Sequence, residues 1–121
     1  MKILVVDDET AICMLLSEFL SLKGYEVTTA GSGEEALVEY HKNRPDATLL
    51  DIKMPGIDGI EVLRRIREND SDTGVIMMSA FADDETIRKA LRTGANKYLE
   101  KPLDLGRLER TLMQLENQGT V

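Results

Sequence analysis

After Met1 the sequence begins with Lys2-Ile3-Leu4-Val5-Val6-Asp7-Asp8, a short aliphatic run that ends in two carboxylates. A bounded run of this length, rich in Val, Ile and Leu, is typical of a strand buried on both faces of a parallel sheet. Similar runs recur along the chain, and each is followed by a segment whose apolar residues keep helical spacing. This alternation predicts an α/β fold in which helices cover both faces of a parallel sheet.

Five such units are predicted. The strands are expected at Lys2–Val6, Tyr25–Thr29, Ala47–Leu50, Val75–Met78 and Lys97–Leu99. The helices are expected at Glu9–Lys23, Ser32–Asn43, Asp58–Glu68, Asp84–Thr93 and Leu105–Glu116. Ser32 and Asp58 each precede a Glu by three residues, which is the pattern of a capping box at a helix start. For five units the common doubly wound, flavodoxin-like (βα)5 arrangement has the strand order 2-1-3-4-5.

Helical spacing also predicts which helix faces lie on the core. In the first helix these positions are Ile12, Leu15, Leu16, Phe19 and Leu20. In the last helix they are Leu105, Leu108, Leu112 and Leu115. Beside the first stripe, Ala11, Cys13 and Met14 leave two possibilities open: an apolar patch for a partner's helices, or looser packing within the domain. As the one cysteine of the chain, Cys13 has no partner for an internal disulfide.

Composition limits the classes of partner. A formal net charge of −7 disfavours a nucleic-acid or anionic-membrane surface, because such surfaces need clustered Lys and Arg. The N-terminus becomes acidic too soon for a signal peptide, and no apolar stretch approaches the roughly 20 residues of a membrane span. We therefore expect a cytoplasmic protein with one domain over residues 1–116. Residues 117–121 are expected to be a polar tail or the start of a linker.

Three carboxylates are expected to converge at one edge of the sheet. Asp7 and Asp8 follow the first predicted strand, and Asp51 follows the third. In the order 2-1-3-4-5 these strands are neighbours, and ligands of doubly wound sheets bind beyond the carboxyl ends at that point. Converging carboxylates repel one another unless a cation lies between them, and oxygen ligands suit Mg²⁺ or Mn²⁺. Because Mg²⁺ usually also binds a substrate phosphate, the pocket predicts phosphoryl chemistry.

Two more strand ends supply groups that suit a phosphate. Asp51 is the candidate nucleophile, since carboxylates form aspartyl phosphates. Ser79 and Lys101 follow the fourth and fifth strands, and a hydroxyl and an ammonium group can each hold a phosphoryl oxygen. Taken singly, each residue also has an ordinary explanation as a helix cap, a turn residue or a solvated charge. One phosphate site explains all four strand ends together, so it is favoured over four separate coincidences.

Four stretches of the sequence match the motifs of one protein family. They are Leu4–Glu9 (LVVDDE), Leu50–Gly59 (LDIKMPGIDG), Val75–Ala80 (VIMMSA) and Gly94–Pro102 (GANKYLEKP). With these motifs in this order, the chain resembles the receiver domain of bacterial two-component response regulators over nearly its whole length. The resemblance implies a phosphorylation-activated signalling switch that is not itself an enzyme. It also implies a sensor histidine kinase or histidine phosphotransfer protein as phosphodonor, and a downstream effector or a C-terminal output domain as target.

The resemblance implies a role for each matched residue. Asp51 would be phosphorylated, and Asp8, Asp51 and the backbone carbonyl of Lys53 would bind Mg²⁺, with Asp7 acting through metal-bound water. Ser79 and Lys101 would bind the phosphoryl oxygens. A second set would tune the switch: Tyr98 would move inward with Ser79, and Lys53 and Phe81 would set the lifetime of the phosphoryl group. The face formed by helix four, strand five and helix five would change on phosphorylation.

Three alternatives remain, of which one, a degenerate receiver that binds partners without phosphorylation, is disfavoured by the intact set of site residues. A metal-dependent phosphatase-like enzyme with an Asp nucleophile usually needs a second carboxylate two residues after that nucleophile, where this chain has Lys53. A nucleotide- or flavin-binding module is disfavoured because neither a P-loop nor a dinucleotide fingerprint follows the first strand.

Overall fold

The computed structural model of the protein describes residues 1–118. Within these residues five strands alternate with five helices. The strands are β1 (Lys2–Val6), β2 (Glu26–Ala30), β3 (Ala47–Asp51), β4 (Gly74–Ser79) and β5 (Lys97–Glu100). The helices are α1 (Thr10–Leu22), α2 (Gly33–Asn43), α3 (Gly59–Asn69), α4 (Asp84–Thr93) and α5 (Leu105–Asn117). Every predicted element is present, and the predicted ends are within about one residue of these bounds, which is the usual uncertainty of a helix or strand end.

The strands form one parallel sheet in the order β2-β1-β3-β4-β5, which confirms the predicted flavodoxin-like fold. The register places the carboxyl ends of the strands along one edge. Val6 pairs with Leu50, so Asp7 and Asp51 follow side by side. On the other side of β3, Ser79 at the end of β4 pairs with Glu100 of β5. The residues that follow these strands are therefore brought to a common edge of the sheet.

Two apolar cores lie on the two faces of this sheet. One lies under α2, α3 and α4, and the other lies under α1 and α5. Strand β1 serves both cores, because Leu4 and Val6 point to the first and Ile3 and Val5 to the second. This alternation follows from the two-residue period of a strand. It explains why the strand is apolar at successive positions although it is short.

Helix ends follow the predicted chemistry. The Ser32 hydroxyl accepts a hydrogen bond from the Glu35 backbone N–H, and Asp58 accepts one from the Glu61 N–H. These bonds satisfy N–H groups that a helix leaves free in its first turn. Gly24 follows α1 with φ +94°, a conformation that favours glycine over residues with a side chain.

The core-facing stripe of α1 is rotated from its predicted position. Its buried residues are Cys13, Leu16 and Leu20, whereas Leu15 is 51% exposed. The prediction that Leu15 faces the core is therefore wrong, and of the two possibilities left open for Cys13 the structure shows packing within the domain. A step of one residue turns a helix by about 100°, so two adjacent leucines cannot both lie at the centre of the buried face. Of the proposed patch, Met14 is exposed and Cys13 is not.

The C-terminal end of the chain differs slightly from the prediction. Asn117, predicted to begin a polar tail, is the last residue of α5. Residues 119–121 of that predicted tail lie outside the described residues. Among the residues that are described, no helix is both long enough and apolar enough to cross a membrane.

Candidate functional site

The ends of β1 and β3 bring three carboxylates together. Asp7, Asp8 and Asp51 each place one carboxylate oxygen within 4.8 Å of the other two. Asp7 and Asp51 are buried, and Asp8 is exposed at the rim. The structure therefore forms the acidic cluster that the strand order predicted. We call these three residues the acidic pocket.

Lys101 supplies the positive charge that faces this pocket. Its Nζ atom lies 2.6 Å from Oδ2 of Asp7 and 3.3 Å from Oδ2 of Asp51. A fourth carboxylate, that of Glu9, lies 3.9 Å from the same nitrogen. The Lys101 backbone N–H donates to the Ser79 carbonyl, which fixes the start of the segment after β5. One buried ammonium group thus faces two buried carboxylates and one exposed carboxylate.

Backbone groups hold the two buried carboxylates in place. Oδ1 of Asp7 accepts a hydrogen bond from the Glu9 N–H at 2.9 Å. Oδ1 of Asp51 accepts one from the Lys53 N–H at 3.3 Å. In both residues the second oxygen, Oδ2, is the one that contacts Lys101. Each carboxylate is therefore oriented by its own loop and by a cation from another strand.

Burial and charge shift the pKa values of the central pair in the same direction. Burial raises the pKa of Asp51, and the negative charge of Asp7 raises it further, while the charge of Lys101 opposes the shift. Burial alone would lower the pKa of Lys101, but the hydrogen bond to Asp7 and the charges of Asp51 and Asp7 raise it overall. The pocket therefore favours the charged form of the Lys101 ammonium group and disfavours ionisation of the Asp51 carboxyl group.

The residues that hold the pocket were not all found from the sequence. The Cys13 thiol donates a hydrogen bond to the Asp7 carbonyl at 3.3 Å, so α1 contacts the loop that carries the acidic residues. Gly59, the first residue of α3, lies against the other loop. A β-carbon at Gly59 would come within 2.1 Å of the Asp51 carbonyl oxygen. In the sequence Gly59 is the last residue of the motif Leu50–Gly59 and directly follows the helix cap Asp58, but neither position indicates this close contact.

Ser79 is placed near the pocket, but its hydroxyl is engaged elsewhere. The Ser79 Oγ–H donates to the Phe81 carbonyl at 3.2 Å, and the same oxygen accepts from the Phe81 N–H at 3.3 Å. The Tyr98 hydroxyl in turn donates to the Ser79 carbonyl at 3.4 Å, and burial raises the Tyr98 pKa. Ser79 thus joins its own loop to Tyr98, while Lys101 alone among the predicted phosphoryl-binding residues contacts the carboxylates.

Lys53 and Phe81, which were predicted from the resemblance to act on the same property, contact each other. Nζ of Lys53 lies 5.9 Å from the centre of the Phe81 ring, within the range of a cation–π interaction. The Phe81 side chain is 78% exposed, so this contact lies at the surface. It joins the loop after β3 to the loop after β4.

The donor set of the acidic pocket fits a hard divalent cation. It consists of carboxylate oxygens, which Mg²⁺ and Mn²⁺ prefer, and no thiolate or imidazole accompanies them among the described residues of the cluster. Two buried carboxylates and one exposed carboxylate carry more negative charge than Lys101 can neutralise. The pocket can therefore accommodate an added positive charge, as a magnesium site requires.

Comparison with known proteins agrees with this arrangement. The sequence matches the family model described as "Response regulator receiver domain" over residues 3–113. Sporulation initiation phosphotransferase F of Bacillus subtilis (strain 168) is 41% identical over 104 residues, which cover 86% of this chain and 84% of the relative. Regulatory protein AtoC of Escherichia coli (strain K12) is 43% identical over 107 residues, which cover 88% of this chain and 23% of the relative.

The fold agrees with solved structures as well. A two-component response regulator from Clostridium difficile superposes with a TM-score of 0.94 at 29% identity, over 99% of this chain and 98% of that chain. A domain from Wolinella succinogenes superposes with a TM-score of 0.92 at 36% identity, over 98% of this chain and 96% of that chain. These likenesses span almost the full length of both partners.

Several relatives are longer than this chain. It spans 23% of the length of AtoC and 46% of the length of the transcriptional regulatory protein PrrA of Mycobacterium tuberculosis (strain ATCC 25618 / H37Rv). The relatives are regulatory proteins or a phosphotransferase, so the comparisons do not support the alternative of a metal-dependent phosphatase. The family model, in contrast, includes every residue of the acidic pocket together with Lys101. The chain belongs to the response regulator receiver domain family, the phosphorylation-activated switches of two-component systems.

Proposed function

We propose that Asp51 is the residue of this chain that accepts the phosphoryl group. The observation that supports Asp51 over Asp7 is the difference in their contacts with Lys101. Asp7 is held at 2.6 Å, whereas both hydrogen bonds of Asp51, to Lys101 and to the Lys53 N–H, are 3.3 Å long. Asp51 is therefore the less firmly bound of the two buried carboxylates. It has an oxygen that can leave its partner and attack.

The proposed donor is a phosphorylated histidine of a sensor histidine kinase or a histidine phosphotransfer protein. A carboxylate oxygen of Asp51 attacks the phosphorus atom, and a new O–P bond forms. The P–N bond to the donor imidazole breaks, and its electron pair leaves with that imidazole. Asp7, Asp8, Asp51 and the Lys53 carbonyl would hold Mg²⁺, for which Mn²⁺ could substitute. When bound, that ion supplies the charge that stabilises a transferring phosphoryl group.

In this proposal Lys101 and Ser79 bind the phosphoryl oxygens. Lys101 already faces Asp51, so it only has to exchange one anionic partner for another. The Ser79 hydroxyl must first leave both of its bonds to the Phe81 backbone. This release would alter the loop between β4 and α4, and Tyr98 would follow because its hydroxyl is bonded to the Ser79 carbonyl. Helix α4, strand β5 and helix α5 would thereby change as one output surface.

Lys53 and Phe81 are proposed to set the lifetime of the phosphoryl group. Lys53 follows Asp51 by two residues, and Phe81 follows Ser79 by two residues. Because their side chains contact each other, they can act as one unit at the surface beside the pocket.

The proposed target of the switch is a downstream effector or an output domain. Two further statements about the protein stay predictions from the sequence. One is that the protein lies in the cytoplasm, and the other is that this domain does not bind nucleic acid directly.

The experiment is phosphorylation by a small-molecule donor, acetyl phosphate, in the presence of Mg²⁺. Intact-mass measurement should show one added phosphoryl group on the wild type and none on Asp51→Asn. Asp72→Asn is the matched control, because Asp72 is exposed in the loop after α3. The assignment fails if Asp51→Asn is modified as fully as the wild type. Repeated turnover of a small phosphoester by the wild type would instead revive the phosphatase alternative.

A further inference from the structure

Helix α4 is attached to the domain mainly at its C-terminal end. Of the residues of α4, Ala90 is the buried one and the one that joins an apolar core. Asp84 and Glu85 in the first turn are exposed, and Thr86 and Ile87 are half-buried outside that core. The N-terminal half of α4 therefore has little packing to hold it. A segment with few buried contacts is one that opens or shifts at low free-energy cost.

Arg67 reinforces the attachment at the other end. This half-buried residue in the last turn of α3 donates from Nε and Nη2 to the Gly94 carbonyl, at 3.0 and 2.9 Å. Gly94 directly follows α4 and ends it with φ +122°. The guanidinium group thus binds a carbonyl at a helix C-terminus, where the helix dipole favours a positive charge. It also lies so close to Gly94 that a β-carbon there would come within 3.0 Å of Nε.

The same guanidinium group joins α4 to the sheet. Its Nη2 also donates to the Asn96 side-chain oxygen at 3.2 Å, and that oxygen accepts from the Val75 N–H at 2.8 Å. The Asn96 N–H donates to the Val75 carbonyl at 2.8 Å, so β4 and the segment before β5 are joined at their starts. The remaining bond of Arg67 is to the Asp70 carbonyl. Arg67 therefore connects α3, the end of α4 and the sheet.

These contacts lie at the end of the sheet opposite the acidic pocket. The N-terminal end of α4, in contrast, continues from the loop that follows Ser79 and contains Phe81. A displacement of Ser79 would reach α4 at its weakly packed end, while Arg67 holds the other end. A planar guanidinium group with several simultaneous bonds resists displacement more than a single hydrogen bond does.

We propose that Arg67 is the fixed pivot of α4. Phosphorylation moves the N-terminal half of the helix, and the contact between Arg67 and Gly94 keeps its C-terminal end in place. This inference rests on the proposed function, because it concerns how the switch at Asp51 reaches α4. Arg67 is a positioning residue in this proposal, since it touches neither the acidic pocket nor a phosphoryl group.

The test is residue-resolved amide hydrogen exchange by NMR, with Mg²⁺ and with or without acetyl phosphate. In the wild type we expect exchange at Ile87–Lys89 to change by about tenfold on phosphorylation, and exchange at Leu91–Ala95 by less than about twofold. In Arg67→Met we expect Leu91–Ala95 to exchange about tenfold faster even without acetyl phosphate. Arg65→Met is the matched control, because Arg65 is exposed and pairs only with Glu61 among the described residues.

Equal changes along the whole of α4 in the phosphorylated wild type would overturn the pivot, and this result needs no variant that has to fold. The pivot would also be overturned if Leu91–Ala95 exchanged their amide hydrogens in Arg67→Met as slowly as in the wild type. Intact-mass measurement on the same samples separates the two proposals. Without a phosphoryl adduct the proposed function fails, and the pivot falls with it. With a full adduct and uniform change along α4, the pivot fails alone.

Discussion

The Lys101 ammonium group lies 2.6 Å from Oδ2 of Asp7, and both side chains are almost entirely removed from solvent. The two residues are 94 positions apart in the sequence, so the pair forms only when β1 and β5 belong to the same sheet. Because Asp51 shares the same cation, the charge of Lys101 supports two buried carboxylates at once.

Loss of this cation should destabilise the protein in a way that depends on Mg²⁺. We expect Lys101→Met to lower the free energy of unfolding by about 2 kcal/mol without Mg²⁺, because two buried carboxylates lose their counter-charge. Millimolar Mg²⁺ should restore part of the loss, since the ion binds the folded pocket and supplies positive charge. Urea denaturation followed by circular dichroism, with EDTA or with Mg²⁺, measures both effects. Lys97→Met, at an exposed position without an ion pair among residues 1–118, is the control. A loss of similar size in that control would contradict the prediction.

Two glycines near helix starts should respond in opposite ways to the same substitution. A β-carbon at Gly59 would lie 2.1 Å from the Asp51 carbonyl oxygen, so α3 must move away from β3. We expect Gly59→Ala to cost about 3 kcal/mol of unfolding free energy and to slow phosphorylation. At Gly106 in α5 the nearest atoms lie 3.4 Å away, at the ends of the Arg110 and Asp104 side chains, which is an ordinary contact distance. Gly106→Ala should therefore stabilise by about 0.5 kcal/mol, because alanine is the better helix former. Thermal denaturation of the two variants and the wild type measures both changes in stability. A Gly59→Ala protein as stable as the wild type would contradict the close packing of Gly59 on the Asp51 carbonyl.

The Tyr40 hydroxyl donates a hydrogen bond to the Asp70 carboxylate, and this pair should give stability that depends on pH. Burial, followed by this bond, raises the pKa of Tyr40 to about 12. Burial alone would raise the pKa of Asp70, but the bonds from Tyr40, Asp72 and Thr73 lower it overall. A lowered carboxyl pKa stabilises the fold above the ordinary value of about 4, and a raised phenol pKa does so below about 10.

Tyr40→Phe should therefore lower the free energy of unfolding by about 1 kcal/mol between about pH 4 and about pH 10. The difference from the wild type should shrink as the pH falls through the lowered pKa of Asp70, because protonation removes the charged acceptor. The difference should shrink again above pH 10, because the Tyr40 hydroxyl of the wild type then ionises in the unfolded chain and this ionisation favours unfolding. Tyr25→Phe is the control, since Tyr25 bonds to Glu116 at an exposed site and its loss should cost less. Denaturation curves at several pH values test this, and a cost that does not vary with pH would exclude the charged pair.

The Cys13 thiol should be protected from chemical modification. It is buried, and burial together with the charge of Asp7 raises its pKa, so little of the reactive thiolate forms at neutral pH. We expect alkylation by iodoacetamide to be about a hundredfold slower in the native protein than in urea. The double variant Cys13→Ala with Met14→Cys moves the thiol to an exposed neighbouring position and should react rapidly. Rapid alkylation of Cys13 in the native protein would contradict the burial of its thiol beneath α1.

Lys53 and Phe81 should act on phosphoryl lifetime as a pair. If the cation–π contact is the unit that matters, Lys53→Met and Phe81→Ala should each change the hydrolysis rate of phosphorylated protein, and the double variant should add little. The decay of the phosphoryl adduct, followed by intact mass, gives the three rates. Strictly additive effects would indicate that the two residues act separately.

The positions of the acidic residues could be predicted because they depend only on strand order and on strand ends. Asp7 and Asp51 lie at the ends of apolar runs that are clearly strands, and the order 2-1-3-4-5 makes those strands neighbours. The direction of individual side chains was harder to predict. Leu15 and Leu16 are equally apolar, and only packing against the sheet decides that Leu16 is buried.

Hydrogen bonds between side chains and backbone carbonyls left no signal in the sequence. The bonds of the Ser79 hydroxyl to the Phe81 backbone were not predicted, and the role of Ser79 in binding a phosphoryl oxygen stays a prediction. The bonds of Arg67 to Gly94 join residues 27 positions apart, and nothing in the spacing of either helix indicates them. Such contacts depend on the final distance between packed elements, which local propensity does not determine.

The ion pair between β1 and β5 also bears on the time at which the chain becomes able to signal. Lys101 lies in the last fifth of the sequence, and it reaches Asp51 only after β5 has joined β4 at the edge of the sheet. A chain still emerging from the ribosome carries Asp51 long before it carries the lysine that contacts it. The contact between Lys101 and Asp51 therefore forms only at the end of folding, and we expect unfinished copies not to accept phosphoryl groups from the proposed donor.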